Sequence, residues 1–199
     1  MARDIRQVRS IPTEFKTRED GEGFFIEGYF AVFNSIYEIA PGMTESVAPG
    51  AFTNTIADDI RALVNHDTTL VLGRTSVKTL ELQQDERGLW GKITINPNDR
   101  DAMNLYERVK RGDVSQCSFG FDIVDEESEY RENGSIHWTI KEVKLYEVSC
   151  VTFPAYSETS ISARAKERDD IQKRTAAAWR KRMEEKINGI KSTDAPEED

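Results

Sequence analysis

A change of character at about residue 161 limits what this chain can fold into more than any other feature. Before it, short apolar and aromatic stretches alternate with polar turns; after it, Trp179 is the one aromatic left and charged residues crowd together. Alternation with a period near two suits half-buried strands, whereas sparse apolar residues at helical spacing among charges suit a solvated helix. A length of 199 residues fits one domain, or one domain with an appendage. The break selects the second arrangement, a folded domain over 1–161 and a charged arm over 162–199. The overall 38% hydrophobic and 32% charged residues then average a compact part with a solvated one. In the arm, Ala176, Trp179, Met183, Ile187 and Ile190 make a narrow helical stripe, and the acidic end Asp194–Asp199 is predicted to be disordered.

The first part reads as mostly β. Phe24–Phe33 is an aromatic-rich strand, and Ile60–Asn65 is a strand that delivers His66 at its end. Val77–Leu82 and Leu89–Ile95 flank a polar turn and predict a hairpin. Ser115–Val124 and Ile136–Thr152 are two more strands, with a loop predicted over Asp125–Gly134. A short helix is predicted over Ala51–Asp59. A second is predicted over Asp99–Arg111, where Ala102, Leu105, Tyr106 and Val109 share a face and Gly112 supplies the stop. Many short strands with a few helices predict an α+β fold, a compact and mostly antiparallel β-barrel with surrounding helices and a C-terminal helical arm.

Several function classes are disfavoured. A formal net charge of -9 argues against a nucleic-acid surface. No apolar run approaches the roughly 20 residues that span a bilayer, and Met1-Ala2-Arg3-Asp4 does not begin a secretory signal. Two histidines, and two cysteines (Cys117 and Cys150) outside any CxxC, make a metal site improbable and fit reduced thiols in a cytoplasm.

Three short motifs carry chemistry: Asn65-His66-Asp67, Ser115-Gln116-Cys117-Ser118-Phe119-Gly120-Phe121, and Leu145-Tyr146-Glu147-Val148-Ser149. A histidine, a serine and a carboxylate are the three roles of a nucleophilic hydrolase. By strand alternation Cys117, Phe119 and Phe121 face the core while Ser118 and Gly120 face away, so Cys117 reads as inert packing. Gly120 is expected to leave open space beside the Ser118 hydroxyl for a substrate backbone. The residues alone leave alternatives standing. Ser118 could be one more serine on the wet face of a strand, Ser115 competes with it, and His137 between Ile136 and Trp138 is the runner-up to Glu147 as third member. A carboxylate in the apolar run Val143–Val151 needs a partner if buried, and an imidazole would serve; a solvent-facing Glu or one paired with Arg or Lys is the plainer reading.

The ordered set Ala48-Pro49-Gly50-Ala51-Phe52, Asn65-His66-Asp67, Leu72-Gly73-Arg74, Gly88-Leu89, Cys117-Ser118-Phe119-Gly120-Phe121, Glu147-Val148-Ser149 and Phe153-Pro154-Ala155 resembles the prohead (capsid maturation) serine proteases of tailed phages with HK97-type capsids. The resemblance spans roughly Gly28 to Ile161, and such enzymes are distantly similar in fold to herpesvirus assemblins. It implies Ser118 as nucleophile, His66 as general base and Glu147 in the third position, with no cofactor; Gly73 and Arg74 are a guess for the oxyanion donors. It also implies cleavage of the scaffold portion of the major capsid protein, and of the enzyme itself, inside proheads in the host cytoplasm. Partners would then be the capsid protein with its scaffold segment and further copies of this chain, with no nucleic acid and no membrane. The arm would pair with scaffold helices or another copy, and self-cleavage near Ile161–Asp170 would release it. A non-catalytic assembly or scaffolding protein is the rival reading. A hydrolase of small esters is disfavoured by the lack of a GxSxG elbow.

Overall fold

Short alternating runs set much of the part before residue 158 into strands, and their pairing is that of a computed structural model that describes residues 7–12, 15–21, 23–131, 133–153 and 158–193. In chain order the elements are β1 (Gln7–Pro12), β2 (Lys16–Asp20), β3 (Gly23–Val32), β4 (Tyr37–Ala40), β5 (Met43–Val47), β6 (Arg61–Val64) and β7 (Asp67–Arg74). There follow β8 (Leu80–Gln84), β9 (Gly88–Ile95), α1 (Arg100–Arg111), β10 (Gln116–Tyr130), β11 (Ile136–Val151) and α2 (Glu158–Thr193). The fold is mixed α+β, rich in strands, with these two helices.

One sheet is seven-stranded and has the order β1-β10-β11-β5-β4, with β6 joining β11 and β7 joining β6. β11 is long enough to hold two neighbours in succession on one edge: β5 pairs parallel with Ile136–Ile140, and β6 pairs parallel with Glu147–Cys150. Its other edge is antiparallel to β10. A second sheet has the order β2-β3-β9-β8. The two sheets share one hydrophobic core, in which Ile26 and Phe30 of β3 and Ile93 of β9 meet Phe119 and Phe121 of β10 and Val148 of β11. Stacking of Phe119 on Phe121, with centroids 4.8 Å apart, and the edge contact of Phe52 on Phe119 at 5.6 Å fix the β10 side of that core.

The helix predicted over Asp99–Arg111 is α1. Asp99 caps it by accepting the Asp101 and Ala102 amides at 2.9 and 3.2 Å, Gly112 ends it in a left-handed conformation (φ 90°), and Ala102, Leu105, Tyr106 and Val109 are buried. The hairpin predicted around Gly88 is β8–β9.

Two expectations fail. Ala51–Asp59 is not a helix but a run of turns, with Thr53 N–H on Gly50 O, Thr55 N–H on Phe52 O and Asp58 N–H on Thr55 O. Thr53, Thr55 and Ile56 are β-branched, and the Thr55 hydroxyl is taken by the Leu145 amide and the Asp58 carboxylate, bonds that compete with a helical ladder. The loop predicted over Asp125–Gly134 is shorter, because β10 continues to Tyr130. Over 125–130 its charged side chains other than Glu126 are exposed while its backbone pairs with the segment of β11 that buries Trp138 and Ile140.

Contacts divide the chain into two units, Met1–Ser160 and Ile161–Asp199. The second consists, among the described residues, of α2 from Ile161 onward, which exposes Trp179 and Met183. The predicted disorder of Asp194–Asp199 falls outside the described residues. Among the described residues no helix is long and apolar enough to cross a membrane.

Candidate active site

His66 owes its position to an unusual turn. Val64 of β6 pairs with Asp67 of β7, so Asn65 and His66 alone connect the two strands. Both have positive φ, 50° and 62°, the requirement of a two-residue type I′ hairpin in which Asn is favoured first and Gly second. A histidine in the second place is strained, and conformations of this kind persist where surrounding bonds over-determine them. Here the Asn65 amide donates to Cys150 O at 2.9 Å, Asn65 Oδ1 accepts the Thr152 amide at 2.9 Å, and the His66 amide donates to Ser149 Oγ at 3.3 Å.

The sheet register assembles the rest. Ser118 pairs with Ser149 and Gly120 with Glu147 between β10 and β11, and Glu147 and Ser149 pair with Arg61 and Leu63 of β6. Strand alternation puts Cys117, Phe119, Val148 and Cys150 in the core, leaving Ser118, Gly120, Glu147 and Ser149 together on the opposite face. Glu147 is 2% exposed. Its Oε1 lies 2.7 Å from His66 Nδ1, and its Oε2 accepts the Ser149 hydroxyl at 2.6 Å. A carboxylate oxygen can only accept from the ring, so Nδ1 carries a proton, and in the neutral imidazole the lone pair is then on Nε2. His66 Nε2 is buried and has no hydrogen-bond partner among the described residues.

Ser118 is not on a wet face, as its sequence context suggested, but fully buried. β1 pairs along β10 from Gln116 to Phe121, and the Ser118 hydroxyl donates to Arg9 O at 2.8 Å. Arg9 is in turn anchored by a buried ion pair with Glu45, including Nη2 to Oε2 at 2.9 Å. Thus His66 and Glu147 are brought into contact, while Ser118 shares the face of Glu147 with its hydroxyl turned to β1. The open space expected beside Gly120 is filled: a Cβ there would lie 2.2 Å from Glu147 Oε1. Gly120 makes room for the carboxylate, not for a substrate.

The profile of the caudovirus prohead serine proteases aligns with residues 12–174. The chain belongs to that family. It is 30% identical over 163 residues to the prohead protease of Enterobacteria phage HK97, covering 80% of this chain and 68% of that protein. Among solved structures, the bacteriophage T4 capsid assembly protease aligns at 11% identity with a TM-score of 0.45, over 73% of this chain and 98% of that one. The protein is accordingly a serine protease of prohead maturation.

The other sequence candidates sit elsewhere. Ser115 is exposed and precedes β10. His137 lies between Thr44 Oγ1 at 2.9 Å and Ser46 Oγ at 3.0 Å in the β5–β11 pairing, and burial and the Arg131 charge push its pKa down. Cys117 and Cys150 are buried and form no disulfide; burial pushes the Cys150 thiol up to about 12, which suppresses its thiolate. The guess of Gly73 and Arg74 as oxyanion donors fails for Arg74, whose amide donates to Thr79 Oγ1 at 2.9 Å. Its guanidinium is paired with Asp59, whose carboxyl it holds well below the usual range. Sequence reasoning missed Ser149, although its place two residues after Glu147 puts it on the same face of the strand. A cleft of about 380 Å³ opens beside His66, lined by Asn65, Val151, Thr152 and Phe153.

Proposed function

We propose that this prohead protease acts through Ser118 as nucleophile, His66 as general base and Glu147 as the orienting acid, on the scaffold portion of the major capsid protein and on itself. The observation that carries the reading is the 2.7 Å contact of His66 Nδ1 with Glu147, which shares a strand face with Ser118, beside a His66 Nε2 that has no hydrogen-bond partner among the described residues. In the reaction Ser118 exchanges its bond to Arg9 O for one to Nε2. The imidazole takes the hydroxyl proton as Oγ attacks the peptide carbonyl, and Glu147 stabilises the imidazolium. The proton passes to the leaving amine, and water, activated by the same imidazole, releases the acyl-enzyme. Every step uses groups of the chain and water, so no cofactor is required. The cleft beside His66, with Phe153 80% exposed at its rim, offers room for a side chain next to the scissile bond.

The finer architecture belongs to the same proposal. Two sheets around one core are read as a barrel-like body, which is the basis of the likeness to herpesvirus assemblins. The helical arm, with Trp179 and Met183 exposed on it, is read as the part that pairs with scaffold helices or a second copy and is shed by self-cleavage near Ile161–Asp170, in proheads assembling in the host cytoplasm. Co-expression with the capsid protein of the same phage tests the chemistry. Shells made with Ser118→Ala should contain full-length capsid protein; normal processing by that variant removes Ser118 from the mechanism. Enzyme recovered from mature particles should have lost the arm, and an intact C-terminus there refutes self-cleavage.

A further inference from the structure

Two members of the site are in states that need outside support. His66 has a left-handed backbone (φ 62°), and Glu147 is a nearly fully buried carboxylate. One hydroxyl supports both. Ser149 Oγ donates to Glu147 Oε2 at 2.6 Å and accepts the His66 amide at 3.3 Å, and Ser149 is itself fully buried. The polarity of the pair of bonds is unique, since a backbone N–H can only donate and the carboxylate, with Nδ1–H on its other oxygen, accepts.

We infer that Ser149 is a positioning residue of the active site, which fixes the rotation of the Glu147 carboxylate and the backbone of His66 so that the Nδ1–H···Oε1 bond exists before substrate arrives; the inference rests on the roles proposed above for Ser118, His66 and Glu147. A glutamate side chain has several rotatable bonds, and holding Oε1 alone leaves the carboxylate free to swing about that contact. With Oε2 tied to Ser149 and the Gly120 side closed to any Cβ, the carboxylate has one orientation. The reach is built into β11: residues two apart share a face, and Val148 and Cys150 between and beyond them are locked in the core. Ser149 also pairs directly with Ser118, so the support lies in the strand next to the nucleophile, where a small displacement of Nε2 is felt by Oγ.

The test compares Ser149→Ala, Ser149→Cys and Ser149→Thr with the parent enzyme, using a peptide copied from the cleavage site mapped in the co-expressed capsid protein. In Ser149→Ala and Ser149→Cys, kcat should fall on the order of 10–100-fold with KM within about twofold, as for other groups that orient a reacting ligand from behind. The low-field proton resonance of His66 Nδ1–H should weaken or move upfield in both, and Ser149→Thr, which keeps the hydroxyl, should restore much of kcat and the resonance. The idea is overturned if Ser149→Cys keeps the parent kcat and resonance, or if activity is lost only in step with melting temperature and threonine gives no rescue. Ser118→Ala runs alongside: cleavage of the peptide by that variant contradicts the nucleophile assignment itself, whereas an inert Ser118→Ala beside a fully active Ser149→Cys contradicts the role of Ser149 alone.

Discussion

Between Gln116 and Ile123 the strand β10 is buried on nearly every residue, whereas from Val124 to Tyr130 the same strand is almost wholly exposed. The inner half has β1 on one edge and β11 on the other; the outer half is paired, among the described residues, with β11 alone. In the inner half burial favours polar groups that bond to one another, as in the chain of bonds from Ser149 through Glu147 to His66. In the outer half carboxylates pair at the surface, as Glu127 does with Lys141 at 2.5 Å and Glu129 with Arg131 at 3.3 Å. Such exposed pairs contribute about 0–1 kcal/mol. One antiparallel pair therefore carries both a preorganised site and a solvated ribbon, and the added layer decides which half is which.

The contrast breaks most visibly at the proposed nucleophile. Ser118→Ala and His66→Ala should each reduce processing of the capsid protein by roughly 10³-fold or more, while Ser128→Ala in the outer half should process normally in the same co-expression assay. Glu147→Gln should be slower than the parent enzyme but faster than Ser118→Ala in timed gel assays of capsid processing, since in the proposed mechanism it removes the orienting charge and not the reacting group. Gly120→Ala drives a methyl group into the Glu147 carboxylate and should both slow processing severely and cost about 1–3 kcal/mol, read by urea denaturation. An alanine there with full activity would mean that the carboxylate is free to move away and that the inner half is not tightly packed.

Removing one partner of the buried Arg9–Glu45 pair leaves an uncompensated charge, so Arg9→Ala should destabilise by about 3–5 kcal/mol. Glu127→Gln, at the exposed pair, should stay within about 0.5 kcal/mol in the same denaturation series. A smaller effect is expected from His137, whose pKa lies below its usual 6.5 because burial and Arg131 oppose its charge. In the window below 6.5 the unfolded chain binds the proton that the folded one refuses, so stability rises with pH there. On going from pH 7.5 to pH 5.5 the melting temperature of His137→Gln should therefore fall less than that of the parent protein. The thiols sharpen the inner half from the core side: Cys117 and Cys150 should resist alkylation at pH 8 in the native protein and react once it is unfolded.

Much of this contrast was legible in the sequence, and the illegible parts have physical causes. The alternation around Ser118 correctly put Cys117 and Phe119 in the core, and the apolar run before His66 correctly ended a strand at it. The short strands β2, with the sequence Lys-Thr-Arg-Glu-Asp, and β1 carry too little apolar pattern to be seen, because their reason for pairing lies in distant partners. Burial of Ser118 beside β1, to whose Arg9 carbonyl its hydroxyl donates, could not be read from Ser118's own surroundings. The Gly120 space was read as room for substrate because nothing local says that a residue 27 positions on, Glu147, reaches into it. The turn at Asn65-His66 was hidden for another reason: its second residue is the type that the turn disfavours, and bonds from Cys150, Thr152 and Ser149 hold it there.

The proposed mechanism requires the imidazole of His66, held by Glu147, to activate Ser118. Labelling proheads in the course of assembly with a fluorophosphonate, followed by mass spectrometry of the digested enzyme, tests this directly. The adduct should map to Ser118 in the parent enzyme and disappear in His66→Ala. An adduct on Ser115, or equal labelling of Ser118 with and without His66, would contradict it.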